Sequence, residues 1–144
     1  MVALFSLKNP SFPEYQCWAT CGVMCVDIHP DHPHMLVAGL YNGNVAVYNL
    51  QRDTTKPSYL STAVNGKHRE LVWQVRWAPD NDDGYLNFHS ISGDGRVSNW
   101  ILVKVPNHNY LAHILGSSLV HRQACPQLWK ASEQHCRGVP IHNS

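Results

Sequence analysis

The stretch that decides the fold is Ser90-Ile91-Ser92-Gly93-Asp94-Gly95-Arg96-Val97-Ser98-Asn99-Trp100, in which an Asp-Gly dipeptide separates two runs with strand character. A similar segment lies earlier in the chain, where Leu40-Tyr41-Asn42-Gly43 precedes Val45-Ala46-Val47-Tyr48. Asn-Gly and Asp-Gly tolerate positive φ and therefore predict two-residue hairpin turns. Each turn follows a further candidate strand, at residues 35–39 and 85–92. The sequence thus predicts two β-hairpins of similar construction.

The similarity belongs to a larger repeated unit. Strand-like copies with an aromatic at the fourth position occur at residues 2–8, 45–51 and 97–103. One strand earlier, residues 22–30 match residues 71–79, and each of these two copies ends in proline, which cannot donate to a sheet ladder. Period-2 alternation indicates strands, with one face formed by Met24, Val26 and Ile28 and its counterpart by Trp73, Val75 and Trp77. A fourth strand is expected over residues 58–62. Units of roughly 40 to 50 residues with four short strands are typical of propeller blades.

The second unit resembles the WD repeat. Gly66-Lys67-His68 stands for the Gly-His element, residues 90–95 for the strand and turn, and Trp100 for the Trp of the repeat. The resemblance implies that His68, Ser90, Asp94 and Trp100 form a hydrogen-bonded structural network within the blade. The physical reason for such a network is that a buried His and a buried Trp N–H need hydrogen-bond partners, and the Asp carboxylate is the last acceptor in the series.

The first unit departs from this pattern. Asn42 replaces the Asp, Tyr48 the Trp and Ala38 the Ser, and no Gly-His precedes Val23. This unit is expected to rely on packing.

Three stretches are similar to the axonemal dynein intermediate chains, particularly those of the outer arm. They are Leu4-Phe5-Ser6-Leu7-Lys8-Asn9-Pro10-Ser11-Phe12-Pro13-Glu14-Tyr15, Gly22-Val23-Met24-Cys25-Val26-Asp27-Ile28-His29 and Val72-Trp73-Gln74-Val75-Arg76-Trp77. The resemblance covers about residues 2–104. It implies a non-catalytic scaffold subunit of the ciliary or flagellar axoneme, whose WD-repeat region binds the dynein heavy chain alongside a second intermediate chain. Contact with the microtubule is then indirect, through the complex. The alternative is a general peptide-binding propeller module unrelated to cilia.

We therefore expect an all-β fold, a partial WD40-type β-propeller of about two and a half blades over residues 1–104. The chain is expected to start inside a blade and to expose apolar flanks, because a closed propeller needs at least four blades. Residues 105–144 show no further copy and are expected to form an unrelated tail, disordered or weakly helical. Apolar pairs between Tyr110 and Val120 are compatible with one helix face, although Gly116-Ser117-Ser118 interrupts it.

Composition narrows the function classes. The 144 residues are 44% hydrophobic and 15% charged, with a formal net charge of +1, so neither disorder nor binding to nucleic acid or an anionic membrane is favoured. No signal peptide or apolar run of about 18 residues occurs. Five cysteines, an odd number, fit a reducing compartment and a cytosolic protein.

Metal and cofactor sites are weakly indicated. Cys17, Cys21 and Cys25 are spaced by four, and His29-Pro30-Asp31-His32-Pro33-His34 is a histidine-rich run, but ordinary thiols and an exposed turn are favoured. His121, Cys125, His135 and Cys136 match no common zinc module. Neither a metal nor a cofactor is expected, although a metal-binding protein is kept as a third hypothesis.

Enzymatic activity is not expected either. Gly66-Lys67 lacks the spacing of a phosphate-binding loop. His68, Ser90 and Asp94 are the residue types of a hydrolase triad, but no Gly-x-Ser-x-Gly elbow occurs. The resemblance to the WD repeat implies that the three residues belong to a structural network instead.

Overall fold

The computed structural model describes residues 1–79, 84–104 and 110–119, without the side chains of 104 and 110–119. These residues form ten β-strands. The strands are β1 Val2–Leu4, β2 Tyr15–Cys17, β3 Val23–Ile28, β4 Met35–Leu40, β5 Val45–Asn49, β6 Tyr59–Leu60, β7 Val72–Ala78, β8 Leu86–Ser92, β9 Arg96–Lys104 and β10 Tyr110–Leu119. Within the described ranges there is no helix of the length and apolarity needed to cross a membrane.

The strands form three antiparallel sheets in which every neighbour along the chain is also a neighbour in the sheet. We call β1–β2 the leading pair, β3–β6 the first blade and β7–β10 the second blade. Both four-stranded sheets are simple meanders, with β3 and β7 as their first strands. The expected all-β fold of the partial propeller type is therefore confirmed.

The glycine of each predicted hairpin has positive φ, but each loop is one residue longer than predicted. Gly43 has φ +85° and donates its N–H to the carbonyl of Leu40, and Leu40 in turn donates to Asn44. Gly95 has φ +77° and donates to Ser92 in the same way. The loops are thus three residues long with glycine in the left-handed position, the next most common hairpin after the two-residue turn.

The inner strands carry a bulge that breaks the expected alternation. Val23 pairs with Leu40 and Cys25 with Gly39, so Met24 is the extra residue in β3. In β7, Trp73 is the extra residue in the same way. The prediction that Trp73 shares a face with Val75 is therefore wrong, because a bulge rotates the residues before it relative to those after it.

The first blade lies between two apolar layers, because every residue of β4 and β5 is buried. One layer joins it to the second blade and is formed by Met35, Val37, Val45, Val47, Tyr59, Val72, Val75, Phe88, Trp100 and Leu102. The other layer joins it to the leading pair and is formed by Cys17, Leu36, Ala38, Leu40, Ala46 and Tyr48. Adjacent residues of one strand thus point into different layers, as period-2 geometry requires.

A polar contact also joins the two inner strands. The N–H of Trp77 in β7 donates to the Asp27 carboxylate in β3 at 2.9 Å, and the indole Nε1 donates to the Asp27 carbonyl at 3.1 Å. Arg76 lies 3.6 Å from the other carboxylate oxygen. These contacts fix the position of β7 relative to β3, and so of the second blade relative to the first.

The expectation of a disordered or helical segment is not met over residues 110–119. These residues form β10, which pairs with β9 from Tyr110 opposite Lys104 to Leu119 opposite Arg96. The Gly116-Ser117-Ser118 run follows a register shift between Ile114 and Gly116, so the backbone irregularity is a bulge within a strand. Residues 105–109 and 120–144 lie outside the described residues.

Candidate functional site

The four residues of the expected blade network come from four different segments and meet in the second blade. His68 precedes β7, Ser90 lies in β8, Asp94 lies in the hairpin and Trp100 lies in β9. Ser90 Oγ is 2.7 Å from His68 Nε2 and accepts a hydrogen bond from Trp100 Nε1 at 2.8 Å. His68 Nδ1 lies 3.4 Å from Asp94 Oδ2. The structure therefore brings all four side chains together.

The directions of these hydrogen bonds follow from the chemistry of the groups. The Trp100 indole can only donate, so Ser90 Oγ accepts from it and its own proton points to His68 Nε2. The remaining proton of a neutral His68 is then on Nδ1, facing the Asp94 carboxylate. The hydrogen bonds therefore all run in one direction, from the indole to the hydroxyl, the imidazole and the carboxylate.

Two backbone groups hold the carboxylate at the end of this chain. Asp94 Oδ2 accepts from the N–H of Arg69 and Oδ1 accepts from the N–H of Arg96, both at 3.0 Å. Burial alone raises the pKa of Asp94, but these two N–H groups together with His68 outweigh it, so the pKa lies below its ordinary value. Burial lowers the pKa of His68, and the opposing attraction of Asp94 is the smaller effect. The network is therefore built from a neutral imidazole and an ionised carboxylate.

The Ser, His and Asp side chains have the residue types of a hydrolytic triad, but the serine is not accessible to a substrate. A nucleophilic serine needs a free hydroxyl next to a substrate site. Ser90 has no exposed surface, His68 is 2% exposed, and the Trp100 indole donates to the Ser90 oxygen. No substrate can reach Ser90 Oγ while the blade is folded.

The first blade replaces the network by apolar packing. Ala38 pairs with Val26 as Ser90 pairs with Val75, and Tyr48 lies opposite Leu36 as Trp100 lies opposite Phe88. Ala38 and Tyr48 are both fully buried. The Tyr48 hydroxyl donates to the carbonyl of Trp18 at 2.7 Å, so its polar atom has a partner outside the blade.

In the same blade Asn42, which stands in place of the Asp, accepts a hydrogen bond from the N–H of Asn44 within its own turn.

The histidine-rich run is organised by its own backbone. His29 is buried, and its Nδ1 accepts from the N–H groups of Asp31 and His32, both at 3.1 Å. No group of three or more His, Cys, Asp or Glu side chains suited to a metal ion occurs among the described residues. The four tail residues considered as ligands lie outside them.

Three cysteines of the described part, Cys17, Cys21 and Cys25, are free thiols. Cys25 lies 3.7 Å from the carbonyl of Val72, and burial raises its pKa to about 11, while burial also raises the pKa of Cys17. Neutral thiols are poor metal ligands and poor nucleophiles.

Two contacts of this region could not be predicted from the sequence. The Ser92 hydroxyl donates to the Glu70 carbonyl at 3.0 Å and so ties the hairpin to the loop before β7. Gly43 approaches the second blade so closely that a Cβ there would lie 2.3 Å from the His68 carbonyl oxygen. The Asn-Gly dipeptide pointed to the turn, but only the packed structure shows this approach.

A four-stranded antiparallel meander with its own His–Ser–Asp–Trp chain, packed face to face on a second one, is a WD-repeat blade in a β-propeller. No family model matches the chain. Over 104 residues, 72% of its length, it is 52% identical to "Dynein axonemal intermediate chain 1" of Mus musculus and 54% identical to that of Bos taurus. It is 42% identical over 104 residues to "Dynein, 78 kDa intermediate chain, flagellar outer arm" of Chlamydomonas reinhardtii.

Over these residues the chain is a homologue of the axonemal dynein intermediate chains. It spans about 15% of the length of each of these relatives.

Proposed function

We propose that the chain acts as a non-catalytic scaffold element of outer-arm axonemal dynein, in the axoneme of cilia or flagella. Its WD-repeat region binds the dynein heavy chain next to a second intermediate chain, and its association with microtubules is through the complex. The observation that carries this proposal is the identity of 52–54% with axonemal intermediate chains over 104 residues that include repeated blade units. Relatives named from a ciliary and a flagellar outer-arm dynein support the compartment.

The network of His68, Ser90, Asp94 and Trp100 has a structural role in this proposal. Its buried serine hydroxyl satisfies one donor and one acceptor at once, and its carboxylate closes the hairpin onto the loop before β7. A blade fixed in this way presents its loops in one arrangement, which a scaffold needs. Motor chemistry then belongs to the heavy chain.

The test is affinity purification of the chain, tagged at its C-terminus, from ciliated cells, with quantified recovery of the dynein heavy chain and a second intermediate chain. We expect recovery above that of residues 105–144 alone. The matched control is the Ser90→Ala chain, whose buried substitution leaves the surface unchanged but weakens the second blade. If the Ser90→Ala chain recovers less of both subunits than the unchanged chain does, the result supports a folded WD-repeat surface as the contact.

Two outcomes contradict the proposal. The first is a folded, soluble chain that recovers neither subunit. The second is a chain that recovers only chaperones.

A further inference from the structure

Gly93, in the hairpin of the second blade, is a glycine that the backbone conformation does not require. Its φ is not positive, in contrast to that of Gly95 two residues later. A Cβ at Gly93 would lie 2.5 Å from Glu70 Oε2 and 3.2 Å from Trp73 Nε1. The lack of a side chain therefore lets a carboxylate and an indole approach each other over the backbone of Gly93.

Both of these groups are open to solvent. Trp73 is the bulged residue of β7 and is 59% exposed, and Glu70 is also exposed. Among the residues that the structure describes, the Glu70 carboxylate takes part in no ion pair. We call Glu70, Trp73 and Gly93 the indole–carboxylate site. A carboxylate attracts a cation by its charge and an indole ring attracts one by its quadrupole, so the site suits a cationic ligand.

Backbone contacts hold the indole–carboxylate site in place. The N–H of Gly93 donates to the Leu71 carbonyl at 3.1 Å, and the Ser92 hydroxyl donates to the Glu70 carbonyl at 3.0 Å. The hairpin and the loop before β7 are thus fixed relative to each other. A ligand that binds here does not have to order the backbone first, which lowers the entropic cost of binding.

The end of β10 brings the rest of the chain close to this site. Leu119 lies opposite Arg96, the first residue of β9, so β10 ends at the same end of the blade as Gly93. The strand order is β10-β9-β8-β7, and with a spacing of about 4.8 Å between strands the end of β8 lies about 10 Å from Leu119. Three extended residues also span about 10 Å. Arg122, the third residue after Leu119, can therefore reach the site with its side chain.

The charge of residues 120–144 also fits the site. They include three basic residues, Arg122, Lys130 and Arg137, and one acidic residue, Glu133. A guanidinium group can pair with a carboxylate and stack on an aromatic ring at the same time, which an ammonium group does less well. An exposed contact of this kind is weak, but a short tether raises the effective concentration of the ligand to about the millimolar range.

We propose that Arg122 binds at the indole–carboxylate site and anchors residues 120–144 across the hairpin end of the second blade. The guanidinium group pairs with the Glu70 carboxylate and stacks on the Trp73 indole, in the space that Gly93 leaves open. The ligand of this exposed tryptophan is then a segment of the same chain. The contact is measured on the purified chain without any dynein subunit, so its test is separate from that of the scaffold function.

The test is limited digestion of the purified 144-residue chain with trypsin, which cleaves after arginine and lysine. The rates of cleavage after Arg122, Lys130 and Arg137 are measured by mass spectrometry in the same digest. The last two bonds are references within the same segment, and each bond is compared with itself between variants, so differences in intrinsic cleavage rate cancel.

The variants are Glu70→Gln and Trp73→Ala, and the matched control is Glu14→Gln, which changes an exposed carboxylate in the loop between β1 and β2. All three replaced side chains are exposed, so the fold should be retained, and circular dichroism checks this. We expect cleavage after Arg122 to be about fivefold faster in Glu70→Gln and in Trp73→Ala than in the unchanged chain, because each variant loses one of the two contacts of the guanidinium group. Cleavage after Lys130 should be unchanged, and Glu14→Gln should behave like the unchanged chain.

Three results would overturn the proposal. One is cleavage after Arg122 at the same rate in the unchanged chain and in both variants of the site. Another is equal acceleration after Arg122 and Lys130, which would show that the substitutions loosen the chain as a whole. The third is protection of Arg122 that increases with chain concentration, which would assign the contact to a second copy of the chain.

Discussion

Replacing Ser90 by alanine should cost the chain about 3 kcal/mol of folding free energy. The substitution removes one oxygen that accepts from Trp100 Nε1 at 2.8 Å and contacts His68 Nε2 at 2.7 Å. Trp100 and Ser90 have no exposed surface and His68 has 2%. Two buried polar atoms are left without partners, and each such atom costs about 1–3 kcal/mol. The lower half of the summed range applies because the small space left by Oγ permits some readjustment.

The assay is equilibrium urea unfolding followed by tryptophan fluorescence. A shift of the midpoint at constant slope reports a change of stability alone. A loss of about 3 kcal/mol is a large share of the 5–15 kcal/mol typical of a domain, so the shift is easily measured.

The double variant Ser90→Ala/Trp100→Phe tests the reasoning itself. It removes the indole N–H, so the orphaned donor that makes the single variant costly no longer exists. We expect the two substitutions to be non-additive by about 1–2 kcal/mol, as for residues in direct contact. A loss below about 0.5 kcal/mol for Ser90→Ala, or additive effects in the cycle, would refute the network as a source of stability.

Three further predictions follow from the same region. His68 and Asp94 both have lowered pKa values in the folded chain, so the unfolded chain takes up a proton at each group at a higher pH than the folded chain does. The stability that the two groups contribute should therefore be lost on acidification, first below the ordinary His value of 6.5 and then below the ordinary Asp value of 3.8. Urea midpoints across pH, compared between the wild-type and His68→Gln chains, check the upper step, which should be missing in the variant. Gly43→Ala should destabilise the chain far more than Gly95→Ala. A Cβ at Gly43 would meet the His68 carbonyl oxygen at 2.3 Å, whereas a Cβ at Gly95 meets no atom within 4 Å and brings only the positive-φ cost of about 1–2 kcal/mol. Equal losses of stability in thermal unfolding would contradict this. Cys25, whose pKa is raised to about 11, should be alkylated by iodoacetamide at pH 8 much more slowly in the folded chain than in urea, and peptide mapping that shows equal rates would disprove its burial.

The local elements could be predicted from the sequence because they depend on near neighbours. The repeated strand-like stretches marked β5 and β9, and the Asn-Gly and Asp-Gly dipeptides marked the hairpins that join them to β4 and β8. The likeness to the WD repeat also named the four residues that meet around Ser90.

What could not be predicted depends on contacts between distant segments. The bulge at Trp73 cannot be recognised in the sequence, so the alternation predicted for Trp73, Val75 and Trp77 fails there, whereas Met24, Val26 and Ile28 are all exposed despite the bulge at Met24. The bond from Trp77 to Asp27 joins residues that are far apart in the chain, and only the packing of two blades brings them together. In β10 the Gly116-Ser117-Ser118 run predicts a helix break, but it follows a bulge in a strand, and a glycine beside a bulge looks the same in sequence as a glycine at a break.

The contrast between the blades has a thermal consequence. The first blade, with Ala38 and Tyr48 in place of the polar chain, depends on apolar burial, and that driving force weakens as water is cooled. The second blade keeps the Ser90 and Asp94 hydrogen bonds, which do not fade in this way. Near freezing, local opening should therefore begin at the apolar layer between the first blade and the leading pair.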